Sequence, residues 1–218
     1  MNNRIILPLD NKPWLESLEI MRQTQGKVWG YKIRRQIFEK GIDFLYIAKA
    51  FGNIMIDFKF YDIPSAMKEA IQFFELADII TVHCNALFDP YNNCQYISNK
   101  LAGVTILTSM SQDDVNTIYN ESLRHQINLF ISFAEHHDYG YIVCSAKDLE
   151  LTNSGIKKIC PGIRPLWYQK KDDQQRTMTP AEAIRAGADL LVIGRPLLKA
   201  DSITKAIDET NKEIEGVL

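Results

Sequence analysis

The chain has 218 residues, of which 46% are hydrophobic and 24% are charged, and this composition excludes a disordered protein. It is typical of one globular domain, here spanning residues 1–218. Lys and Arg number 25 and Asp and Glu number 27, so the net charge of -2 excludes a broad basic surface for nucleic acid or an anionic membrane. The apolar run Ile5-Ile6-Leu7 is too short for a signal peptide, and no segment is long enough to span a membrane. We therefore expect a cytoplasmic protein.

Eight short apolar or β-branched runs, each bounded by turn residues, predict strands along the chain. They are Arg4–Leu9, Val28–Ile33, Asn53–Lys59, Ile79–His83, Val104–Thr108, Tyr141–Cys144, Lys157–Cys160 and Leu190–Ile193. Segments with helical apolar spacing lie between them, at Pro13–Gln23, Arg35–Ala48, Pro64–Leu76, Glu121–Glu135 and Ile203–Ile214. This alternation predicts an α/β fold, a single-domain (β/α)₈ TIM barrel, with an open doubly wound sheet as the alternative.

The four cysteines do not form a recognisable metal or disulfide pattern. Cys84, Cys94, Cys144 and Cys160 are scattered, without a Cys-x-x-Cys pair or the His spacing of a zinc site. Three of them lie in or beside apolar, strand-like segments, where Cys behaves as a small hydrophobic residue. We expect reduced and mostly buried thiols, with no disulfide and no structural metal.

The most unusual segment is the third predicted strand, which carries charge inside an apolar run. Asp57 and Lys59 project to the same side of a strand because side chains alternate, and Asp62 follows just past its end. Removing an ion from water costs several kcal/mol, so charges there indicate chemistry. Lys32 ends the neighbouring strand, and an alternating Lys-Asp-Lys-Asp array would let each charge support the next. An edge strand with solvated charges is the alternative.

Two turns near the C-terminus each place an arginine beside a glycine. Gly162 and Arg164 follow the seventh predicted strand, and Gly194 and Arg195 follow the eighth. Glycine lets backbone N–H groups approach an anion, arginine suits phosphate, and barrels often hold phosphate at these two strands. The pair predicts a phosphorylated small-molecule ligand, whereas ordinary turn glycines and surface arginines are the alternative.

A long polar segment, Leu166–Arg176, separates these turns and has neither helical nor strand periodicity. Loops of this length are often lids that close over a ligand, and Gln174 or Gln175 could then reach a phosphate. A solvated surface excursion is an equal alternative. His83, which has no second histidine, cysteine or acidic partner in sequence, is interpreted as a hydrogen-bonded structural residue outside the mechanism.

Five motifs together resemble the orotidine 5'-phosphate decarboxylase family over nearly the whole chain, from Pro8 to about Pro196. They are Asp57-x-Lys59-x-x-Asp62-Ile63-Pro64, Leu107-Thr108-Ser109-Met110, Pro161-Gly162-Ile163-Arg164-Pro165, Asp173-Gln174 and Val192-Ile193-Gly194-Arg195-Pro196. The resemblance implies conversion of orotidine 5'-monophosphate to uridine 5'-monophosphate, the last step of de novo pyrimidine biosynthesis. It implies an enzyme of class EC 4.1.1.23 that needs no cofactor or metal.

The resemblance also implies a role for each matching residue. Lys32, Asp57, Lys59 and Asp62 would form the catalytic array, with Lys59 as the proton donor. The family is typically a homodimer, so Asp62, Ile63 and Thr108 would contact substrate across the subunit interface. The other implied substrate contacts are Asp10 to the ribose, Ser109 to the pyrimidine edge, Arg164 to the substrate, and Gln174, Gly194 and Arg195 to the phosphate.

Two other readings stay open, and the second of them gains weight from places where the chain departs from the family pattern. Ser65-Ala66 stands where many members have Asn-Thr, and Cys84–Leu87 replaces a small, Gly-containing stretch. One alternative is a Mg²⁺-dependent 3-keto-L-gulonate 6-phosphate decarboxylase or hexulose-phosphate synthase, because these relatives share the Asp-x-Lys-x-x-Asp element. The other is a catalytically silent barrel that binds phosphate or a partner.

Overall fold

A computed structural model describes residues 3–151, 155–168 and 177–217 of the chain. Eight parallel strands close into one barrel in sequence order, and β8 returns to β1 through the pairs Ile5↔Leu191 and Ile6↔Val192. The strands are β1 Ile5–Pro8, β2 Gly30–Ile33, β3 Asn53–Phe60, β4 Ile79–His83, β5 Leu101–Val104, β6 Tyr141–Val143, β7 Lys157–Cys160 and β8 Leu190–Val192. The predicted (β/α)₈ barrel is confirmed, and the open doubly wound sheet is wrong.

Helices lie between the strands and cover the outside of the barrel. In the described residues they are α1 Trp14–Thr24, α2 Arg35–Lys40, α3 Asp43–Lys49, α4 Pro64–Gln72, α5 Pro90–Asn93, α6 Gln112–Tyr119, α7 Leu123–His136, α8 Pro180–Arg185, α9 Arg195–Leu198 and α10 Ile203–Glu215. Thr179 caps α8 by accepting the Glu182 N–H, and Pro180 follows it at the start of the helix. No helix in these described ranges is both long enough and apolar enough to cross a membrane.

Alternation along each strand divides the apolar residues into two layers. One cluster, which includes Ile6, Met55 and Ile159, fills the inside of the barrel. The residues of opposite phase, such as Leu7 and Ile56, join the larger cluster between strands and helices. Lys32 pairs in register with Met55, and Asp57 follows two residues later. Their side chains therefore point inward, at the carboxyl end of the barrel.

The predicted fifth strand, Val104–Thr108, is wrong by almost its full length, since β5 runs from Leu101 to Val104. Gly103 has the appearance of a strand breaker in the sequence, but it lies in the middle of β5. A Cβ at this position would lie 2.7 Å from Cys84 Sγ and 3.2 Å from Tyr139 Cδ2. The glycine is thus required for close packing behind the strand, not for a turn.

The predicted helix Arg35–Ala48 is also wrong as one element, because the structure divides it into α2 and α3. Gly41 ends α2 with a φ of 66° and donates its N–H to the Ile37 carbonyl. Only glycine adopts this left-handed conformation without strain, so the chain turns there and α3 begins at Asp43.

Helix α6 was not predicted, although Ser111 and Asp114 form a capping box at its start. All four cysteines are buried, as predicted.

We expect Gly103→Ala to lower the free energy of unfolding by about 1–3 kcal/mol, because the added methyl group overlaps Cys84 Sγ in a filled layer. Urea unfolding followed by circular dichroism measures this difference. Gly216→Ala is the matched control, since a Cβ there makes only ordinary contacts at 3.5 Å or more. Equal stability of the two variants would contradict the packing role of Gly103.

Candidate active site

Four charged side chains alternate in sign at the carboxyl end of the barrel. Lys32 Nζ donates to a carboxylate oxygen of Asp10 and, over 2.6 Å, to Asp57 Oδ2. Lys59 Nζ donates to the other oxygen of Asp57, Oδ1, over 2.7 Å. The order is therefore Asp10, Lys32, Asp57, Lys59, and we call these four residues the charged array. Within one chain, Asp10 takes the fourth place that the sequence interpretation gave to Asp62.

Burial makes the charges of this array strongly dependent on one another. The side chains of Asp57 and Lys32 are only 9% and 11% exposed. Burial by itself raises the pKa of Asp57, but the charges of Lys32 and Lys59 outweigh it and hold that pKa well below its usual range. Burial likewise lowers the pKa of Lys32, but Asp57 and Asp10 outweigh it and raise that pKa overall. Asp57 is therefore ionised and Lys32 protonated at neutral pH.

These opposite shifts predict how stability depends on pH. The pKa of Asp57 is lower in the folded protein than in the unfolded chain, where it is about 3.9. Ionised Asp57 therefore stabilises the fold fully above about pH 3.9, and this stabilisation is lost as the pH falls towards the pKa of the folded state. The pKa of Lys32 is higher in the folded protein than in the unfolded chain, where it is about 10.4. Protonated Lys32 therefore stabilises the fold fully below about pH 10.4, and this stabilisation is lost as the pH rises through the pKa of the folded state. We expect Asp57→Asn to have a shallower loss of unfolding free energy than the wild type below about pH 4. Urea unfolding at a series of pH values tests this, and parallel curves for the two proteins would contradict it.

The backbone at Lys59 is unusual, and a residue that the sequence interpretation missed supports it. Lys59 has a φ of 52°, and the pairing of β3 with β4 shifts register between Ile56 and Phe60. The Lys59 N–H donates to Thr81 Oγ1 over 2.8 Å, and the same oxygen lies 3.1 Å from Asp57 Oδ1. The only sequence signal for Thr81 was its place two residues before His83, which puts both residues on the inward face of β4.

The charged array lines a cavity of about 540 Å³ that also reaches the last two strands. Of the predicted site residues, the structure brings together in this cavity Asp10, Lys32, Asp57, Lys59, Thr108, Arg164, Gly194 and Arg195. Gly162 also contributes to its wall. The predicted charged strand and the two predicted phosphate turns are therefore parts of one site.

Other predicted site residues lie elsewhere. Asp62 and Ile63 are exposed and do not line the cavity, and an Asp62 oxygen accepts the N–H of Ile63 over 2.7 Å. Ser109 is also exposed and outside the cavity wall. Gln174, together with most of the predicted lid Leu166–Arg176, lies outside the described residues.

One of the two carboxylate oxygens of Asp10 has no hydrogen-bond donor in the described parts of the chain. Its Oδ1 atom is buried and accepts no hydrogen bond from the described parts of the chain, while Oδ2 accepts from Lys32. A buried carboxylate oxygen without a donor is costly, so this atom is suited to accept a hydrogen bond from a bound ligand.

The two glycine turns have specific backbone reasons for glycine. Gly162 has a φ of 79°, and the loop after it is fixed by the Arg164 N–H, which donates to the Met178 carbonyl over 2.9 Å. At Gly194 a Cβ would lie 3.0 Å from Pro8 Cγ, so glycine lets the end of β8 approach the end of β1. The Arg164 guanidinium donates to the Ile163 carbonyl over 2.9 Å and lies over the ring of Tyr168.

His83 ends β4 and stays outside the cavity wall. Burial and the positive charge of Lys59 lower its pKa, so the ring is neutral at neutral pH. The prediction of a hydrogen-bonded histidine is not met at Nδ1, which is buried and without a hydrogen-bond partner among the residues that the structure covers. Its ring instead contacts that of Tyr61, at 5.9 Å between centroids.

A second cavity, of about 580 Å³, lies at the opposite, amino-terminal end of the barrel. It is lined by residues that include Arg4, Trp29, Asn53, Tyr141 and Lys157. Function in this fold is located at the carboxyl ends of the strands. Of these two cavities, the one of about 540 Å³ at the carboxyl end contains the charged array. We therefore assign the site to that cavity.

The carboxylates of the site are poorly suited to a divalent cation. Asp10 and Asp57 are both paired with Lys32, and Asp57 is paired with Lys59 as well. Mg²⁺ would have to displace these ammonium groups to gain its oxygen ligands. Across the described ranges, no three His, Cys, Asp or Glu side chains are grouped to hold a metal ion.

A closed parallel barrel with a buried charged array at its carboxyl end defines this protein as a (β/α)₈-barrel enzyme. The family model described as "Orotidine 5'-phosphate decarboxylase / HUMPS family" matches residues 3–210. The orotidine 5'-phosphate decarboxylase of Desulfosudis oleivorans is 32% identical over 98% of this chain and 94% of its own length. That of Actinobacillus succinogenes is 29% identical over the full length of both chains, at 100% each.

The chain belongs to the orotidine 5'-phosphate decarboxylase / HUMPS family. The resemblance drawn from its motifs is confirmed, as is the assignment to the decarboxylase class of enzymes. The crystal structure of orotidine 5'-phosphate decarboxylase from Lactobacillus acidophilus superimposes with a TM-score of 0.79 at 22% identity, covering 97% of this chain and 99% of that one. This likeness supports the fold.

Proposed function

We propose that this protein decarboxylates orotidine 5'-monophosphate to uridine 5'-monophosphate without a cofactor, with Lys59 as the proton donor. The observation that carries the proposal is the charged array, which shares one cavity with the Gly162–Arg164 and Gly194–Arg195 turns. One end of that cavity thus suits a reacting carboxylate, and the other suits a phosphate. Residues 1–218 would act as one decarboxylase domain, and its cytoplasmic location remains a prediction from sequence.

The chemistry requires stabilisation of a carbanion. When the bond between C6 and the carboxylate breaks, CO₂ leaves and the electron pair stays on C6, in the plane of the ring. The ammonium of Lys59 stabilises this negative charge and then transfers a proton to C6, which forms the C6–H bond of the product. Lys59 is left as a neutral amine and regains a proton from water.

Asp57 and Lys32 prepare this step. Asp57 remains ionised because Lys32 and Lys59 lower its pKa, and its charge repels a substrate carboxylate bound beside it. The repulsion is relieved when neutral CO₂ departs. Lys32 holds Asp57 through Oδ2 and leaves Oδ1 to Lys59, so the carboxylate also orients the proton donor.

The remaining residues of the cavity would bind the parts of the substrate that do not react. The Arg195 side chain and the Gly194 backbone would hold the phosphate, with Arg164 nearby and Gln174 contributing from the lid. The unsatisfied Asp10 Oδ1 would accept a hydrogen bond from a ribose hydroxyl. Ser109 would contact the pyrimidine edge. Binding energy from the phosphate would then be used to fix the ring against the charged array.

A homodimer with shared active sites would explain the residues that one chain leaves exposed. Tyr61, Ile63 and Leu87 are exposed by 63%, 65% and 61%. Asn85 donates to the Tyr61 hydroxyl over 3.2 Å, which joins the loops after β3 and β4 into one surface. Asp62, between Tyr61 and Ile63 in sequence, is exposed as well. Pairing with a second copy would cover the surface and carry Asp62 and Ile63 to the partner's substrate, whereas Thr108, for which the resemblance implied the same role, lines the cavity of its own chain.

The direct test is to incubate the purified protein with orotidine 5'-monophosphate and to follow the ultraviolet absorbance, with and without EDTA. We expect turnover that EDTA does not change. Activity that EDTA abolishes and Mg²⁺ restores would favour the metal-dependent alternative. Binding of uridine 5'-monophosphate without any turnover would favour the silent barrel.

A further inference from the structure

Thr81 contacts both Asp57 and Lys59 without lining the cavity. It lies in the middle of β4, its side chain is fully buried at 0% exposure, and it does not line the cavity wall. Its hydroxyl oxygen accepts the Lys59 N–H over 2.8 Å. The hydroxyl hydrogen can be donated to Asp57 Oδ1, at 3.1 Å, or to the Ile56 carbonyl, at 3.3 Å. The carboxylate is the stronger acceptor because it is charged and closer.

The Lys59 backbone needs such a partner. A φ of 52° is unfavourable for any residue with a Cβ, so the surrounding structure must hold Lys59 in this conformation. The register shift between Ile56 and Phe60 interrupts regular pairing with β4 at this point. A side-chain oxygen from β4 accepts the N–H instead, and it is anchored in turn against Asp57. The hydroxyl therefore links the backbone of one catalytic residue to the carboxylate of the other.

We propose that Thr81 is a positioning residue, whose hydroxyl holds Lys59 in its left-handed conformation and fixes Asp57 against the Lys59 ammonium. This inference rests on the proposed function, because it assigns Thr81 to the step in which Lys59 protonates C6. Misplacement of a catalytic group by about 1 Å can reduce the rate about 100-fold. Since Thr81 lies outside the cavity wall, its loss should impair the reaction and not the binding of substrate.

Two variants separate the hydroxyl from the bulk of the side chain. Thr81→Val keeps the shape and removes the hydroxyl, whereas Thr81→Ser keeps the hydroxyl and removes a methyl group. We expect Thr81→Val to lower kcat about 10- to 100-fold, with KM and the inhibition constant of uridine 5'-monophosphate changed by less than about twofold. We expect Thr81→Ser to keep kcat within about threefold of the wild type.

A merely structural role gives a different result. If Thr81 only stabilised the fold, both variants would contain less folded protein. The number of intact active sites can be counted by titration with a tight-binding ligand, and kcat for each intact site would then equal that of the wild type. If Thr81→Val does not fold, Thr81→Ala replaces it, and the proposal then requires Thr81→Ser to exceed Thr81→Ala in kcat by about tenfold. Equal kcat values in the hydroxyl-bearing and hydroxyl-free variants would overturn the proposal.

A crystal structure of the hydroxyl-free variant tests the geometry independently of activity. We expect Lys59 to leave the positive-φ region and its Nζ to move away from Asp57 Oδ1. If the wild-type protein does not decarboxylate orotidine 5'-monophosphate, the proposed function fails, yet this structural result still decides whether Thr81 positions the two residues. An unchanged Lys59 backbone would overturn the inference even if the wild type is active.

Discussion

Replacing Lys59 by alanine should lower kcat for orotidine 5'-monophosphate by at least about 1,000-fold, because one side chain supplies both the charge at C6 and the proton. Binding of uridine 5'-monophosphate should change far less, since Lys59 is needed mainly when charge develops at C6. Absorbance assays at saturating substrate measure kcat, and calorimetric titration with the product measures binding.

Two controls show whether the loss of kcat in Lys59→Ala comes from the missing ammonium group at this position. Lys212→Ala removes an exposed lysine on α10 and should leave kcat unchanged. Lys59→Ala should still fold and should unfold in one cooperative transition, because Lys59 is the most exposed member of the ion pairs around Asp57. Turnover of Lys59→Ala within about tenfold of the wild type would refute its role as proton donor.

Replacing Arg195 by alanine should mainly weaken the binding of phosphorylated ligands. A forked, charged donor at the end of β8 is lost, and we expect KM for orotidine 5'-monophosphate to rise about 100-fold. Some loss of kcat should accompany it, because binding energy at the phosphate is used to hold the reacting ring in place. Titration with uridine 5'-monophosphate and with uridine measures the two parts separately.

The unphosphorylated ligand is the internal control for this prediction. Uridine lacks the phosphate, so Arg195→Ala should bind it as the wild type does. Arg185→Ala, which removes an exposed arginine in the last turn of α8, should affect neither ligand. An equal loss of affinity for uridine and for its monophosphate would show that Arg195 does not bind the phosphate.

Sequence reasoning succeeded where one simple period governs the structure. Strands and helices alternate with clear apolar patterns, and this alone predicts the barrel. Strand alternation also places Asp57 and Lys59 on one side, and the barrel rule places Lys32 and the two arginine turns at the same end. These arguments need only the direction of each side chain, which the sequence contains.

Sequence reasoning failed where a single contact overrides the local pattern. Gly103 has the appearance of a turn residue, but close packing against Cys84 keeps it inside β5. Gly41 divides one helical pattern because its backbone turns left-handed. The importance of Thr81 arises from the irregular pairing of β3 with β4, which no local pattern reveals. Asp62 is exposed and outside the cavity wall of the single chain, which its position just past the charged strand does not indicate.

Lys32 donates to Asp10 as well as to Asp57, so the proposed ribose ligand and the proposed catalytic carboxylate share a single ammonium group. If a ribose hydroxyl donates to Asp10 as proposed, that carboxylate would hold Lys32 less strongly, and the pairing of Lys32 with Asp57 would strengthen. Recognition of the ribose would then be coupled to the charges around the reacting carbon. Lys32 Nζ would thus connect the binding of the correct sugar to the charged residues at which the carbon–carbon bond breaks.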